Sequence, residues 1–136
     1  MNGDRYFLDA FFAVALFNRR DRDHASAQAW LARVRTAREV WTTEAVLLEI
    51  GDGLSVADRR GAVAFIGWLK QARNVRVVAV DTGLFERGLA LYAAREDKTW
   101  GLTDCISFVV MQEQKITGAL TGDEHFEQAG FKALMK

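Results

Sequence analysis

The sequence contains no proline and only one cysteine and two histidines among 136 residues. A single thiol, Cys105, cannot form an internal disulfide, and neither histidine has a cysteine at zinc-ligand spacing, so we expect a reducing environment and no structural zinc. Lysine plus arginine number 18, as do aspartate plus glutamate, so no net charge directs the protein to nucleic acid or to an anionic membrane. A charged partner must therefore be bound by a local patch.

Long hydrophobic runs are also missing, since no segment approaches the roughly 20 apolar residues that a membrane-spanning helix needs. The apolar run at 11–17 follows Asp9 and precedes Asn18, Arg19 and Arg20, which is not a signal-peptide pattern. We interpret it as a buried helix and expect a cytoplasmic protein with no membrane partner. Half of the residues are hydrophobic and no linker or repeat interrupts the chain, so we predict one domain over residues 1–136.

Without proline, the ends of helices and strands must be inferred from glycines, capping residues and charged clusters. Helical periodicity alternates with short apolar segments along the chain. We predict helices that begin near Asp23, Thr43, Asp58 and Thr103, each of which can act as an N-cap. Strands are predicted at residues 5–8, 39–42, 75–80, 116–120 and, on a weaker pattern, 131–135. The β-branched run at 75–80 is typical of a strand that is buried on both faces.

This alternation predicts an α/β fold with a mostly parallel sheet of four to five strands, because parallel neighbours are usually joined by a helix. Ligands of such sheets bind at the carboxyl ends of the strands. Asp9 directly follows the first strand and Asp123 follows the fourth, so we expect both at one edge. Asp104 at the head of a helix and Glu49 in the second turn of another can point into the same crevice.

Carboxylates in one crevice repel each other, by roughly 4 kcal/mol for two charges about 4 Å apart at an effective dielectric near 20. A hard divalent cation such as Mg²⁺ or Mn²⁺ relieves that repulsion and supports hydrolysis of phosphodiesters. Each acid also has a purely structural interpretation. Asp104 and Asp123 could simply start helices, and Glu49 could be a solvated helix residue. Asp9 is the strongest single candidate, because an unpaired carboxylate within an apolar series is costly.

The order Asp9, Glu49, Asp104, Asp123 resembles the acidic quartet of PIN-domain ribonucleases, particularly the VapC-type toxins of bacterial toxin–antitoxin pairs. The resemblance spans almost the whole chain and is carried by the segments YFLD (6–9), TEAVLLE (43–49), LTDCIS (102–107) and TGDEHF (121–126). It implies a three-layer α/β/α sandwich and an endoribonuclease in which these four acids are the catalytic residues and bind Mg²⁺ or Mn²⁺. It also implies an RNA substrate, frequent homodimerisation, and an antitoxin that places a peptide segment in or near the active-site groove.

One position departs from the family pattern, which usually has Thr or Ser after the first acid where this chain has Ala10. We expect Thr103 or Thr121 to supply the supporting hydroxyl instead. Glu44 is a rival to Glu49, but it lies on a different face of the helix and outside the family pattern.

Other polar residues are predicted to lie outside the site. Asp52 and Asp97 are interpreted as surface or loop acids, with a role as outer neighbours of the metal left open. His125, next to Glu124, is interpreted as an exposed polar residue, and activation of water by a metal does not require it.

RNA contacts are predicted from two clusters, Arg19, Arg20 and Arg22 in one and Arg59 and Arg60 in the other, which can bind phosphates without reading sequence. If exposed, Trp100 can stack on a base. The alternative is that these arginines form a solvated face and that Trp100 packs in the core.

Two other functions remain open at this point. One is a PIN-like nuclease that processes RNA or cuts structured DNA without an antitoxin, and the other is a noncatalytic PIN-fold binding protein. A phosphoacceptor or dehalogenase-type phosphatase is disfavoured, since the latter needs a second acid where this chain has Phe11. The target RNA, its cleavage position, the number of metals and the identity of the antitoxin are not encoded in any pattern that we recognise.

Overall fold

A computed structural model describes residues 4–136, so residues 1–3 of the predicted domain lie outside the described part. One sheet of five parallel strands forms the centre, in the order β3-β2-β1-β4-β5. The strands are β1 (Arg5–Leu8), β2 (Glu39–Thr43), β3 (Val75–Val78), β4 (Gly118–Leu120) and β5 (Lys132–Ala133). The predicted α/β class and strand number are confirmed, and every strand pair is parallel.

Helices flank this sheet. Those within the described residues are α1 (Ala10–Phe17), α2 (His24–Thr36), α3 (Glu44–Gly53), α4 (Arg59–Gln71), α5 (Thr82–Ala94), α6 (Leu102–Gln114) and α7 (Glu124–Gln128). Thr43 and Asp58 cap α3 and α4 as predicted, by accepting hydrogen bonds from the backbone N–H of Val46 at 3.2 Å and of Gly61 at 2.8 Å. Asp23 occupies the N-cap position of α2 but makes no capping hydrogen bond through its side chain.

Some details of the sequence-based prediction are wrong. The N-cap of α6 is Gly101, which places Thr103 inside the first turn of the helix. Strand β3 ends at Val78 instead of residue 80, and it is only partly buried, because it is the edge strand of the sheet and lacks a neighbour on one side. Strands β4 and β5 are also shorter than their apolar segments.

The strand order reverses direction at β1. From β1 the chain proceeds through β2 to β3 on one side and later adds β4 and β5 on the other side. Leu8 and Leu120 are register partners at the carboxyl ends of β1 and β4. The next residues, Asp9 and Thr121, therefore lie side by side where the two halves of the sheet diverge, which is where open α/β sheets form their ligand-binding crevice.

Aromatic packing fixes the elements that border this crevice. The ring of Phe126 in α7 meets the ring of Phe108 in α6 edge-on, with centroids 5.0 Å apart. Phe11 lies so close to Gly122 that a β-carbon at Gly122 would stand 2.6 Å from Cζ of Phe11. Because the β4–α7 loop contacts α1 at this point, the two loops that carry Asp9 and Asp123 are held together. Among residues 4–136, no helix is long and apolar enough to cross a membrane.

Candidate active site

Asp9 lies at the bottom of the crevice, directly after β1, and is only 7% exposed. The hydroxyl of the fully buried Thr121 donates a hydrogen bond of 2.8 Å to Oδ2 of Asp9. A hydroxyl that is missing at Ala10 is thus present on Thr121, directly after the neighbouring strand β4. Of the two candidates named from the sequence, Thr121 makes this contact and Thr103 does not.

The surroundings of Asp9 disfavour its ionised form. The pKa of this carboxyl is raised to about 7, mainly by burial. The charges of Asp104 and Glu49 contribute to the rise, and the hydrogen bond from Thr121 opposes it. These contributions place Asp104 and Glu49 close enough to Asp9 to interact electrostatically. A cation between the acids would reverse the effect, because an opposite charge favours the carboxylate.

Asp104 occupies the first turn of α6, where backbone N–H groups and the helix dipole favour a negative charge. Its Oδ2 accepts two hydrogen bonds, one from the backbone N–H of Gly101 at 3.2 Å and one from Nδ1 of His125 at 3.0 Å. Both hydrogen bonds to the Asp104 carboxylate therefore end at the same oxygen, Oδ2.

Asp123 is the N-cap of α7, and its Oδ1 accepts the backbone N–H of His125 at 2.9 Å. Its own N–H donates to Oγ1 of Thr121 at 3.1 Å. One hydroxyl thus links two acids, because Thr121 accepts from the Asp123 backbone while it donates to the side chain of Asp9.

His125 belongs to this group, so its interpretation as an exposed polar residue is wrong. The imidazole is partly buried, and its Nδ1 lies 3.0 Å from Oδ2 of Asp104 and 3.6 Å from Oδ1 of Asp123. The sequence signal for His125 is its position two residues after Asp123. When Asp123 acts as an N-cap, it binds the backbone of His125 and keeps that residue beside it.

Glu49 lies in α3, and its surface is exposed. Even so, partial burial of the Glu49 carboxyl raises its pKa. The charges of Asp104, Asp52 and Asp123 raise this pKa as well. The rival Glu44 is directed elsewhere, because its Oε1 accepts the backbone N–H of Val80 at 2.8 Å.

The remaining candidate acids lie at the surface. Asp97 forms a two-pronged pair with the Arg95 guanidinium, at 2.9 and 3.0 Å. Asp52 is exposed one turn after Glu49, and its charge contributes to the raised pKa of Glu49.

The donor set suits a divalent cation. Within the described part of the chain, no lysine or arginine forms a salt bridge with Asp9, Glu49, Asp104 or Asp123. Ligand atoms of Asp104, Asp123 and His125 lie within 4.8 Å of one another, a group that does not include Asp9 or Glu49. Hard divalent metals prefer carboxylate oxygens as ligands, and no lysine or arginine competes for them here. The crevice with its four acids is therefore a candidate metal site, and Asp104 and Asp123 are the two acids whose ligand atoms lie close together.

Trp100 does not offer a surface for stacking. It is 6% exposed, its ring packs edge-on against Phe108, and its Nε1 donates to Gln128 at 3.0 Å. The guanidinium of Arg95 covers the ring at 5.0 Å from its centroid. The core interpretation of Trp100 is therefore the correct one.

Comparison with known proteins gives a family and two similar structures. The sequence profile of the PIN domain family matches residues 6–132. The crystal structure of Mycobacterium tuberculosis VapC20, a sarcin–ricin loop cleaving toxin, is 29% identical, with 94% of this chain and 97% of that chain covered and a TM-score of 0.84. Rickettsia felis VapBC2, crystallised with a DNA fragment from its promoter, is 12% identical with 93% of each chain covered and a TM-score of 0.61. No curated protein sequence matches significantly.

Proposed function

Because this chain belongs to the PIN domain family, we propose that it is a metal-dependent endoribonuclease and the toxin of a toxin–antitoxin pair. The observation that carries the proposal is the convergence of acids from separate elements on the crevice between β1 and β4. None of them is neutralised by a lysine or arginine salt bridge within residues 4–136.

We assign the catalytic and metal-binding roles to Asp9, Glu49, Asp104 and Asp123. Mg²⁺ and Mn²⁺ fit this oxygen-rich set. When bound, such an ion polarises the phosphodiester and lowers the pKa of a water molecule, which supplies a nucleophile at neutral pH.

The residues of the chain prepare this site in different ways. Thr121 fixes the orientation of the Asp9 carboxylate by hydrogen bonding. The first turn of α6 favours the ionised form of Asp104 through its dipole. Glu49, from the exposed face of α3, adds a further negative charge near Asp104 and Asp123. Hydrogen bonds to ligand oxygens hold them in one geometry, which lowers the cost of binding an ion.

Two arginine clusters are proposed to hold the RNA backbone. Arg19, Arg20 and Arg22 are exposed between α1 and α2, and Arg59 and Arg60 are exposed at the start of α4. The clusters are neighbours, because a β-carbon at Gly61 would stand 2.7 Å from Cδ1 of Phe17. Helix α1 has 8 residues and starts beside Asp9, so this basic surface begins about 12 Å from the acids. It is suited to phosphates a few nucleotides from the scissile bond.

The proposed partners are an RNA, an antitoxin protein and a second copy of this chain. VapC20 cleaves the sarcin–ricin loop, so an RNA hairpin with that loop is the first substrate to test. A toxin that cleaves cellular RNA must act in the compartment that contains this RNA, and we therefore propose that the protein is cytoplasmic.

Purified protein should cleave RNA in the presence of Mg²⁺ or Mn²⁺ and lose that activity when a chelator is added. Denaturing gels of an end-labelled sarcin–ricin hairpin and of total RNA measure cleavage and its selectivity. Cleavage at an unchanged rate with chelator would contradict the assignment of a metal-dependent site.

The toxin role is tested in growing cells. Expression of the wild-type chain should arrest growth, and co-expression of a small protein encoded by an adjacent gene should relieve the arrest. If growth continues at the normal rate with the folded protein present, the chain is not a toxin, and RNA processing becomes the favoured role.

A further inference from the structure

The imidazole of His125 stands between two acids and a hydroxyl. Nδ1 faces Oδ2 of Asp104 at 3.0 Å, and Oδ1 of Asp123 is 3.6 Å away. On the other side of the ring, Nε2 lies 3.3 Å from Oγ1 of Thr99. Both ring nitrogens thus have polar partners, and the side chain is mostly shielded, with 22% of its surface exposed.

These partners determine which nitrogen of a neutral ring carries the hydrogen. A carboxylate oxygen can only accept, so Nδ1 must donate to Asp104. Nε2 then has a lone pair, and the hydroxyl of Thr99 can donate to it. The result is a continuous chain of hydrogen bonds from Thr99 through His125 to Asp104.

The chain of hydrogen bonds ends at one oxygen of Asp104. Oδ2 accepts from both His125 and the backbone of Gly101, whereas Oδ1 accepts no hydrogen bond from the described residues. A carboxylate fixed at one oxygen has its other oxygen available for a ligand. This arrangement resembles the outer hydrogen bonds that orient ligands around metals in proteins generally.

We propose that His125 is a positioning residue for the metal site, where its Nδ1–H holds Oδ2 of Asp104 so that Oδ1 is presented to the cation. Asp104 sets the tautomer of the ring, and Thr99 supports the ring on its other side by donating to Nε2. The proposal rests on the metal-dependent function assigned above, and it adds a residue outside the acidic quartet. Direct binding of the cation by Nδ1 is the competing arrangement, because the ligand atoms of Asp104, Asp123 and His125 lie within 4.8 Å of one another.

The test compares variants that keep or remove the donor. His125→Asn keeps an N–H near the place of Nδ1, His125→Leu removes it at similar size, and His24→Leu is the matched control. His24 is suitable because its Nδ1 contacts the backbone oxygen of Ala15, away from the acids. Binding of Mn²⁺ is measured by the electron paramagnetic resonance signal of the free ion, and folding of each metal-free variant is checked by circular dichroism and thermal unfolding.

His125→Leu should weaken Mn²⁺ binding by about 10-fold to 100-fold. His125→Asn should bind Mn²⁺ within about threefold of wild type, because it keeps an N–H that can donate to Asp104. His24→Leu should also stay within about threefold, because His24 contacts the backbone of Ala15 and none of the acids. Two results would overturn the proposal. One is a Mn²⁺ affinity of His125→Leu equal to that of wild type, and the other is a Mn²⁺ affinity of His125→Asn as low as that of His125→Leu.

Pulsed electron paramagnetic resonance of the Mn²⁺-loaded wild type separates positioning from direct binding. The positioning role predicts no strong coupling to nitrogen. A strong ¹⁴N coupling that disappears in His125→Leu would show that the imidazole binds the ion and would overturn the proposal while leaving the metal-dependent function intact. Absence of any Mn²⁺ binding by the wild type would overturn both.

Discussion

Asp9 and Glu49 contribute the same chemical group to the crevice from opposite surroundings. Asp9 is 7% exposed at the end of a central strand and is held by Thr121 at 2.8 Å. Glu49 lies on an exposed helix face and interacts with Asp104 and Asp123 through its charge. The contrast indicates an inner carboxylate, Asp9, whose charge is strongly disfavoured by burial, and an outer carboxylate, Glu49, whose charge is disfavoured less because the residue is exposed. Substitutions can test this division.

The largest effect is expected at the inner carboxylate. Asp9→Asn keeps the size of the side chain and removes its charge, so RNA cleavage should fall by at least about 100-fold, as for loss of a preorganised electrostatic group. Initial rates at saturating Mn²⁺ measure this, with circular dichroism as the check on folding. A folded Asp9→Asn protein that cleaves at the wild-type rate would remove Asp9 from the site.

Support of the inner carboxylate is tested at Thr121. Thr121→Val removes the hydroxyl that donates to Asp9 at 2.8 Å, and Mn²⁺ affinity should fall by about 10-fold to 100-fold. Thr103→Val is the matched control, because the same change is made in the first turn of α6 without loss of that bond. Isothermal titration calorimetry compares the two, and equal affinities would mean that Asp9 needs no hydroxyl support.

The cost of burying Asp9 should appear as a pH dependence of stability. The pKa of this group rises from 3.8 to about 7 on folding, so the folded state retains a proton that the unfolded chain has released. The contribution of Asp9 to stability therefore falls as pH rises through this interval. Relative to wild type, metal-free Asp9→Asn should gain about 1–3 kcal/mol in the free energy of unfolding between pH 5 and pH 8.

Urea denaturation with chelator at both pH values measures the change. The matched variant Glu49→Gln should gain less, because Glu49 is exposed. If wild type and Asp9→Asn lose or gain stability in parallel from pH 5 to pH 8, the carboxyl of Asp9 is not buried at a cost.

The smallest effect on function is expected at the outer carboxylate. Glu49→Gln should weaken Mn²⁺ binding or slow cleavage by roughly threefold to tenfold, in line with the modest energies of exposed charges. Glu44→Gln, on another face of the same helix, is the control and should leave Mn²⁺ affinity unchanged. An effect of Glu49→Gln as large as that of Asp9→Asn would remove the distinction between an inner and an outer carboxylate.

Much of this arrangement could be predicted from sequence, for a physical reason. Period and apolar content identify the strands, and in an α/β fold an acid at the end of a strand lies at the binding edge. Asp9 and Asp123 were accessible to that argument. The pairing of β1 with β4, which brings Thr121 beside Asp9, depends on long-range register that no local pattern contains.

The rest depended on details of local geometry. The start of α6 was assigned to Thr103 because threonine is a common N-cap, whereas a glycine fills that position and Asp104 supplies the hydrogen bond from within the helix. His125 was missed because its neighbour Glu124 made the segment look solvated. The first turn of α7, which Asp123 caps, places the imidazole of His125 next to Asp104. The burial of β3 was overestimated because a β-branched run does not distinguish an edge strand from a central one.

The most direct test of the account is RNA cleavage by Asp104→Asn in a titration of Mn²⁺. Asp104 interacts electrostatically with both the inner and the outer carboxylate, so a metal site shared by these acids requires its charge. We predict a folded protein whose cleavage is at least about 100-fold slower than wild type at every Mn²⁺ concentration. Full activity with wild-type dependence on Mn²⁺ would contradict the assignment of a shared metal site.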